Sequence, residues 1–334
     1  MLYYMTLAAL TAVIFVNGWT DAPNAIATTV GSRAMKPGSA VAMAAFFNLV
    51  GAMSVSIAGG RVAHSVFEIA NFGSGAEALR ALFAGLVAVA AWAVFAWYFG
   101  IPTSESHALL SGLAGSAASV TGAASFNAAQ WSRVGLGLVL TTLPAFLLGR
   151  AVFAVVTLAC RNRDRREVTP FFAGAQRFGA AAGAYLHGLQ DGQKFMGTIM
   201  ICGSLAGFAW DGEIIPLRVA FYCAAFMAAG TALGGSRIIK RVALDMVRLD
   251  APRGFAADLS AALCLAGCTA LGLPVSTTHA KTCAVMGAGS AKQRGGLELR
   301  SVRDIIIAWL LTFPVCFFLG WGAAEISEFF GGLS

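Results

Sequence analysis

The chain has 334 residues, 58% of them hydrophobic and 12% charged, with a formal net charge of +7. The charged share is about half that of an average soluble domain, which excludes a water-soluble globular protein. Most Lys and Arg fall in short connecting segments, so the basic excess is read as positive-inside topology and not as a nucleic-acid surface.

Residues 2–16 are apolar but have neither a basic n-region nor a small-residue cleavage pattern, and are read as a first membrane helix instead of a signal peptide. Segments 41–58, 81–99, 219–235 and 305–324 carry no charge. Each approaches or reaches the ~20 residues that cross ~30 Å of hydrocarbon. Apolar stretches recur from Leu2 to Phe318 and leave no room for a soluble domain, so the lipid bilayer is the surrounding of the whole protein. The seven cysteines form no CxxC pair, and Cys264 and Cys268, four apart on an apolar stretch, read as small core thiols.

Two motifs occur twice. NGWTDAPNAIATTV (17–30) aligns without gaps to HGLQDGQKFMGTIM (187–200), pairing Gly18 with Gly188, Asp21 with Asp191 and Thr28 with Thr198. PTSESHALLSGLAG (102–115) aligns to PVSTTHAKTCAVMG (274–287), pairing Pro, Ser, His, Ala and Gly in register. Order and separation agree in both halves, the pattern of a fused duplication. Equivalent loops differ in charge. Arg33 and Lys36 are matched by Asp211 and Glu213, and the neutral segment 61–80 by Arg237, Lys240, Arg241, Arg248 and Arg253 against Asp245 and Asp250. Segment 120–133 has one basic residue, and its mate has Lys292, Arg294, Arg300 and Arg303. Basic loops stay cytoplasmic, so the halves are predicted to be inverted, with 161–166 inside.

The predicted fold is an all-α polytopic membrane protein of two inverted-topology repeats, 1–160 and 171–334, joined by a basic cytoplasmic linker, 161–170. Each half is expected to hold a broken helix at the first motif, a full span, a helix-turn-helix hairpin at the second and a closing span. The hairpins are expected to meet near the midplane. Small residues such as Gly112 and Ser116, four apart, suit close helix packing.

An intramembrane carboxylate is costly, so Asp21 and Asp191 are read as functional, with a helix N-cap as the alternative for Asp21. Pro23 marks a helix start. Pro102 and Pro274 break the preceding helices, and Thr103, Ser104 and Ser106, or Ser276, Thr277 and Thr278, can cap the next. Such helix ends favour an anion, and hydroxyls add donors without cancelling its charge, so a tetrahedral oxyanion fits. The two Asp carboxylates and the amide oxygens of Asn17, Asn24 and Gln190 offer hard ligands for a coupling cation. His107 and His279 follow the hydroxyl clusters and His187 opens the second first-motif copy. Orienting the hairpins remains the alternative role for the first two. Lys194, in the slot of Asn24, is read as an anion ligand or as a salt-bridged lysine.

The strings NGWTDAPNAIATTVGSRAMKP, HGLQDGQKFMG, PTSESHALLSGLAG and PVSTTHAKTCAVMGAG resemble the signature segments of the inorganic phosphate transporter (PiT) family. The resemblance implies secondary transport of inorganic phosphate with sodium or protons, with no cofactor beyond possible bound sodium near Asp21 and Asp191. It also implies a midplane site, a multi-pass protein of the plasma or cell inner membrane, and a homodimer. Carried over by position, it assigns Asp21, Asn24, Asp191, Thr103, Ser104, Ser276 and Thr277 to that site. Thr20 stands where the family usually has Asn or His and Gln190 where it usually has Asn, each keeping a polar oxygen. Glu105 stands where Ser or Thr is commoner, in the slot of Thr277. It is expected either to load and unload a proton or to complement the first turn of its helix.

Sulfate would meet the same donors, but phosphate retains an O–H that can donate to a carboxylate, so the paired Asp residues favour phosphate. A Ser/His hydrolase built on Ser104 and His107 or Ser276 and His279 lacks a GxSxG elbow and has no need of duplication. A passive channel does not need broken helices around an enclosed site.

Overall fold

The computed structural model describes residues 1–101, 103–210, 214–234, 239, 249–291 and 298–331. Pro102 and the loop charges Asp211, Glu213, Arg237, Lys240, Arg241, Asp245, Arg248, Lys292 and Arg294 lie outside the described residues.

The described secondary structure is helical. The first half contains α1 (Leu2–Thr20), α2 (Pro23–Gly31), α3 (Pro37–Met53), the short α4 (Val55–Ala58) and α5 (Arg61–Phe67), α6 (Gly75–Tyr98), α7 (Glu105–Thr121) and α8 (Ala128–Ala159). The second contains α9 (Arg165–Leu205), α10 (Leu217–Leu233), α11 (Ala251–Ala270), α12 (Thr277–Ser290) and α13 (Leu299–Gly331). Among the described residues five stretches, Leu2–Gly31, Pro37–Ala58, Gly75–Tyr98, Ala128–Ala159 and Leu299–Phe330, are long and apolar enough to cross a bilayer. On α8, Leu136, Val139, Leu143 and Leu147 form an exposed apolar stripe at helical spacing. Water would not accept such a stripe and lipid does. The protein is an integral, multi-pass membrane protein.

Packing repeats with the sequence. Helix α1 packs on α10 and α6, and its mate α9 packs on α3 and α11; α7 packs on α13 as α12 packs on α8. The motif glycines set these distances. A Cβ on Gly18 would stand 2.1 Å from the Met227 carbonyl oxygen, and one on Gly188 would stand 2.1 Å from that of Asn48. Without a hydrophobic force between helices in lipid, such close backbone approach supplies the dispersion contact that holds them. The closing spans α8 and α13 also match, each with an internal proline, Pro144 and Pro314.

Two groups of contacts define the ends of the bundle. Arg165 pairs with Asp250 at 3.2 Å, Arg177 donates to the Ala34 carbonyl at 2.8 Å and Arg150 reaches Ser290 at 3.4 Å, gathering basic side chains at one end. At the other, Thr121 donates to Asn71, and Asn127 to Glu68. Each half starts at one end and finishes at the other, as inversion requires.

One expectation is corrected. The first-motif helix is broken only in the first half, where α1 ends at Thr20 and Pro23 opens α2; α9 runs without a break through Asp191. Proline lacks the N–H that an interior turn needs and its ring clashes with the preceding turn. The residue matching Pro23 is Gln193, which has its N–H and lets the helix continue. The helices α4 and α5, between the first full span and α6, are additional to the predicted layout.

Candidate functional site

The two hairpins turn back inside the bundle, and α7 and α12 begin there. Ser104 and Ser276 are the N-caps, each accepting from the backbone N–H three residues on, His107 and His279, at 3.2 Å. The imidazoles of His107 and His279 meet edge to face with centroids 4.7 Å apart, so the two helix starts lie side by side. The first-turn N–H groups that a helix leaves free therefore converge from both halves.

The Asp residues cross between the halves. Asp21, at the α1–α2 break, accepts from Thr277 (3.4 Å) and Thr278 on the hairpin of the second half, and from Asn24 at 2.8 Å. Asp191, on α9, accepts from Ser106 (3.5 Å) on the hairpin of the first half, from Asn17 at 3.3 Å and from the Lys194 ammonium. Thr278 and Ser106 occupy matching motif positions, so each half holds the other by the same carboxylate–hydroxyl contact. His187 bridges them: its Nε2 lies 3.4 Å from Asp191 Oδ2 and 3.8 Å from Asp21 Oδ2, and its Nδ1 is 3.1 Å from Asn48 Oδ1. All these groups are buried.

The remaining expected residues divide. Glu105 is buried against Thr20 beside the Asp21 cluster, and Thr103 lies beside them. Lys194 takes the salt-bridged alternative, its Nζ held by Asp191, Ser106 and the Val275 carbonyl, the last at 2.6 Å. Gln190 faces away from the carboxylates, donating to the Leu273 carbonyl at 2.7 Å and accepting from Thr269 at 2.8 Å, so it ties α9 to the second hairpin. His107 packs on Phe313 and His279 on Trp309, as ring contacts that seat the hairpins against α13.

A second buried cluster lies outside the residues singled out in the sequence. Asp258 on α11 accepts from the Lys281 ammonium and from Thr28 at 2.6 Å, and Lys281 also donates to the Ala25 carbonyl at 2.9 Å. Both charges are buried. A signal for it exists: Asp258 is a lone carboxylate in an apolar run, the pattern that marks Asp21. Extending the register of the second motif pairs Lys281 with Leu109 and Asp258 with Leu86, both fully buried.

The site is tightly packed. A cavity of 20 Å³ lies among Asn24, His187, Thr277, Asp258 and Lys281, and one of 10 Å³ among Thr20, Asn24, Thr103 and Glu105. The first has room for about one water molecule. The larger hollows lie elsewhere, such as the 520 Å³ apolar groove beside Tyr3, Phe208, Trp210 and Tyr222, which has no carboxylate among the described residues that line it. The oxygen donors suit a hard cation: the Asp21 and Asp191 carboxylates lie with the His187 imidazole in one group whose ligand atoms are within 4.8 Å of one another, and the buried Asn17 Oδ1 and Asn24 Oδ1 have no hydrogen-bond partner. Carboxylate and amide oxygens are the ligands that coupling cations take in transporters.

The sequence and the fold are similar to those of known proteins. Residues 17–167 and 157–320 match the sequence model described as the phosphate transporter family. A probable low-affinity inorganic phosphate transporter of Bacillus subtilis (strain 168) is 33% identical over 306 residues, covering 92% of this chain and 91% of that protein. A probable low-affinity inorganic phosphate transporter of Rhizobium meliloti (strain 1021) is 32% identical, over 90% of this chain and 89% of its own. A solved structure titled "The sodium-dependent phosphate transporter" superposes with a TM-score of 0.83 at 20% identity, over 98% of this chain and 99% of that one, and so shares the fold. Taken with the duplicated motifs and the carboxylates they bury, these matches show that the chain is a transporter and not an enzyme, and that it belongs to the phosphate transporter family.

Proposed function

We propose that the chain carries inorganic phosphate across the membrane together with a cation, by alternating access at the centre where the two hairpins meet. The observation that carries this is the crossed contact: Asp21 on Thr277 and Thr278, Asp191 on Ser106. Hydroxyls and first-turn N–H groups suit the phosphate oxygens, and a carboxylate can accept from the remaining phosphate O–H. A cation at Asp21, Asn17 and Asn24 lowers the repulsion that an incoming anion would feel from the Asp carboxylates. The small cavities leave no room for phosphate until α7 or α12 moves away from the carboxylate it contacts, and that movement breaks a crossed contact. Cation and anion thus act on the same hydrogen bonds, which supports coupled movement.

The division into halves 1–160 and 171–334 belongs to the same proposal, supported by the end of α8 at Ala159 and the start of α9 at Arg165. The family resemblance adds a homodimer. Sodium as the coupling cation is favoured by the oxygen donor set and by the name of the structural neighbour. A specific contact favours protons as a second reading. Thr20 Oγ1 lies 2.7 Å from the Val16 carbonyl and also against Glu105 Oε1. A hydroxyl has one hydrogen, so both contacts are satisfied when Glu105 itself carries a proton.

The test is uptake of labelled phosphate by purified protein in liposomes, with excess unlabelled phosphate or sulfate as competitor. The expected result is saturable uptake suppressed by phosphate. Uptake of labelled sulfate that excess phosphate leaves unchanged would overturn the assignment.

A further inference from the structure

The matched positions Asn24 and Lys194 differ in charge, yet each contacts a carboxylate and a hydroxyl at matching positions, Asp21 and Thr278 or Asp191 and Ser106. Lys194 Nζ is held by three oxygens of three kinds: the Asp191 carboxylate, the Ser106 hydroxyl and the Val275 backbone carbonyl. In the other half the same register brings together Asp21, Thr278 and Asn24, whose Nδ2 reaches Asp21 Oδ1 at 2.8 Å and Thr278 Oγ1 at 3.1 Å while its Oδ1 has no hydrogen-bond partner. An all-oxygen cage of carboxylate, hydroxyl and carbonyl is what a hard monovalent cation takes from a protein. In one half that cage surrounds a side-chain ammonium; in the other the matching carboxylate and hydroxyl hold a neutral amide with an oxygen to spare.

We propose that the Lys194 ammonium is a tethered cation, standing permanently where a free coupling cation would sit in the second half. The chain then takes up a free cation beside Asp21 and none beside Asp191. The proposal rests on the coupled-transport reading and concerns how many ions that site holds. Charge favours it: Asp191 is matched by Lys194 at contact distance, whereas among the described residues no lysine pairs with Asp21, whose partners are Thr277, Thr278, Asn24 and His187. Electrostatics therefore draws a free cation to the first half and not the second. The geometry favours it too, because Lys194 is 1% exposed on an unbroken helix and has no path along which to leave. A cation that cannot cross contributes charge balance for the anion but no energy from its gradient. This chain therefore moves fewer cations per phosphate than one with an amide at both positions.

The experiment counts bound ions and does not depend on transport. Labelled sodium bound per chain is measured by equilibrium dialysis of the purified protein with saturating phosphate, for wild type and for Lys194→Asn. The expected result is one sodium per wild-type chain and two in Lys194→Asn. Two or more sodium ions in wild type, or an unchanged number in a folded Lys194→Asn protein, would overturn the proposal. Should that variant fail to fold, the wild-type count alone decides. Absence of phosphate uptake by wild type would defeat the transport reading instead, so the two failures are distinct.

Discussion

The two halves share a scaffold and differ in where they keep charge. In the first, Asp21 and Glu105 lie close together and neither pairs with a lysine among the described residues, and the register of Asp258 and Lys281 is occupied by Leu86 and Leu109. In the second, both carboxylates carry a lysine: Asp191 with Lys194, Asp258 with Lys281. The backbone follows suit, broken at Pro23 and continuous through Gln193. Duplication preserved what inversion needs, namely the crossed hydroxyl contacts and the close glycine approaches. It let diverge what symmetry does not require. A symmetric scaffold of inverted repeats thus holds a site that has no need to be symmetric.

Removing either shared carboxylate tests the common part and should have the largest effect. Asp21→Asn and Asp191→Asn are each expected to reduce coupled phosphate uptake to background while the protein still purifies folded. Near-normal uptake in either would reduce that Asp to a structural role. The charge difference is tested next. A buried ion pair stripped of one partner is destabilised by about 3–5 kcal/mol, whereas replacing both by apolar residues is often neutral. Asp258→Leu and Lys281→Leu should each lower the thermal unfolding midpoint markedly. The double variant, which copies the leucines of the first half, should recover most of the loss. A double variant no better than the singles would show that the two halves do not tolerate the same packing.

The glycines give a smaller effect. Gly18→Ala places a Cβ 2.1 Å from the Met227 carbonyl oxygen and should cost about 1–3 kcal/mol, the range for overpacking, with a similar cost for Gly188→Ala against Asn48. Equal losses support the matched packing; a loss in one half alone breaks it. Smallest is Glu105→Gln, which removes a titratable group that the second half lacks at Thr277. If Glu105 carries the coupling proton, the dependence of uptake on external pH flattens while phosphate binding persists. An unchanged profile with lower stability leaves Glu105 the role of a first-turn helix residue.

Patterns that recur make the inverted architecture legible in the sequence. Asp21 and Asp191 stand out because a carboxylate in an apolar segment costs too much to be kept for packing alone, and Ser104 and Ser276 because a hydroxyl after a proline break is a ready cap. Features that depend on which atom faces which are not legible there. Nothing in the motif string distinguishes a lysine reaching an anion from one bound to Asp191 three residues earlier, or shows that Gln190 turns to Leu273. The continuity of α9 is legible in principle, since only the first copy has a proline, but the repeat suggests symmetry more strongly than the missing proline argues against it. Asp258 lies outside both motifs and so escapes a search for repeats, although the physical rule that marks Asp21 applies to it unchanged.

The most direct test of coupled transport is whether an imposed ion gradient concentrates phosphate. Liposomes loaded with the same phosphate concentration as the medium are given an inward sodium gradient or, separately, an inward proton gradient, and internal labelled phosphate is followed over time. Coupling at the Asp21 and Asp191 centre predicts that phosphate rises above the external level under one of the gradients and falls back when an ionophore dissipates it. Phosphate that stays equal on both sides under either gradient, while still exchanging across the membrane, would contradict coupled transport and describe a passive pore.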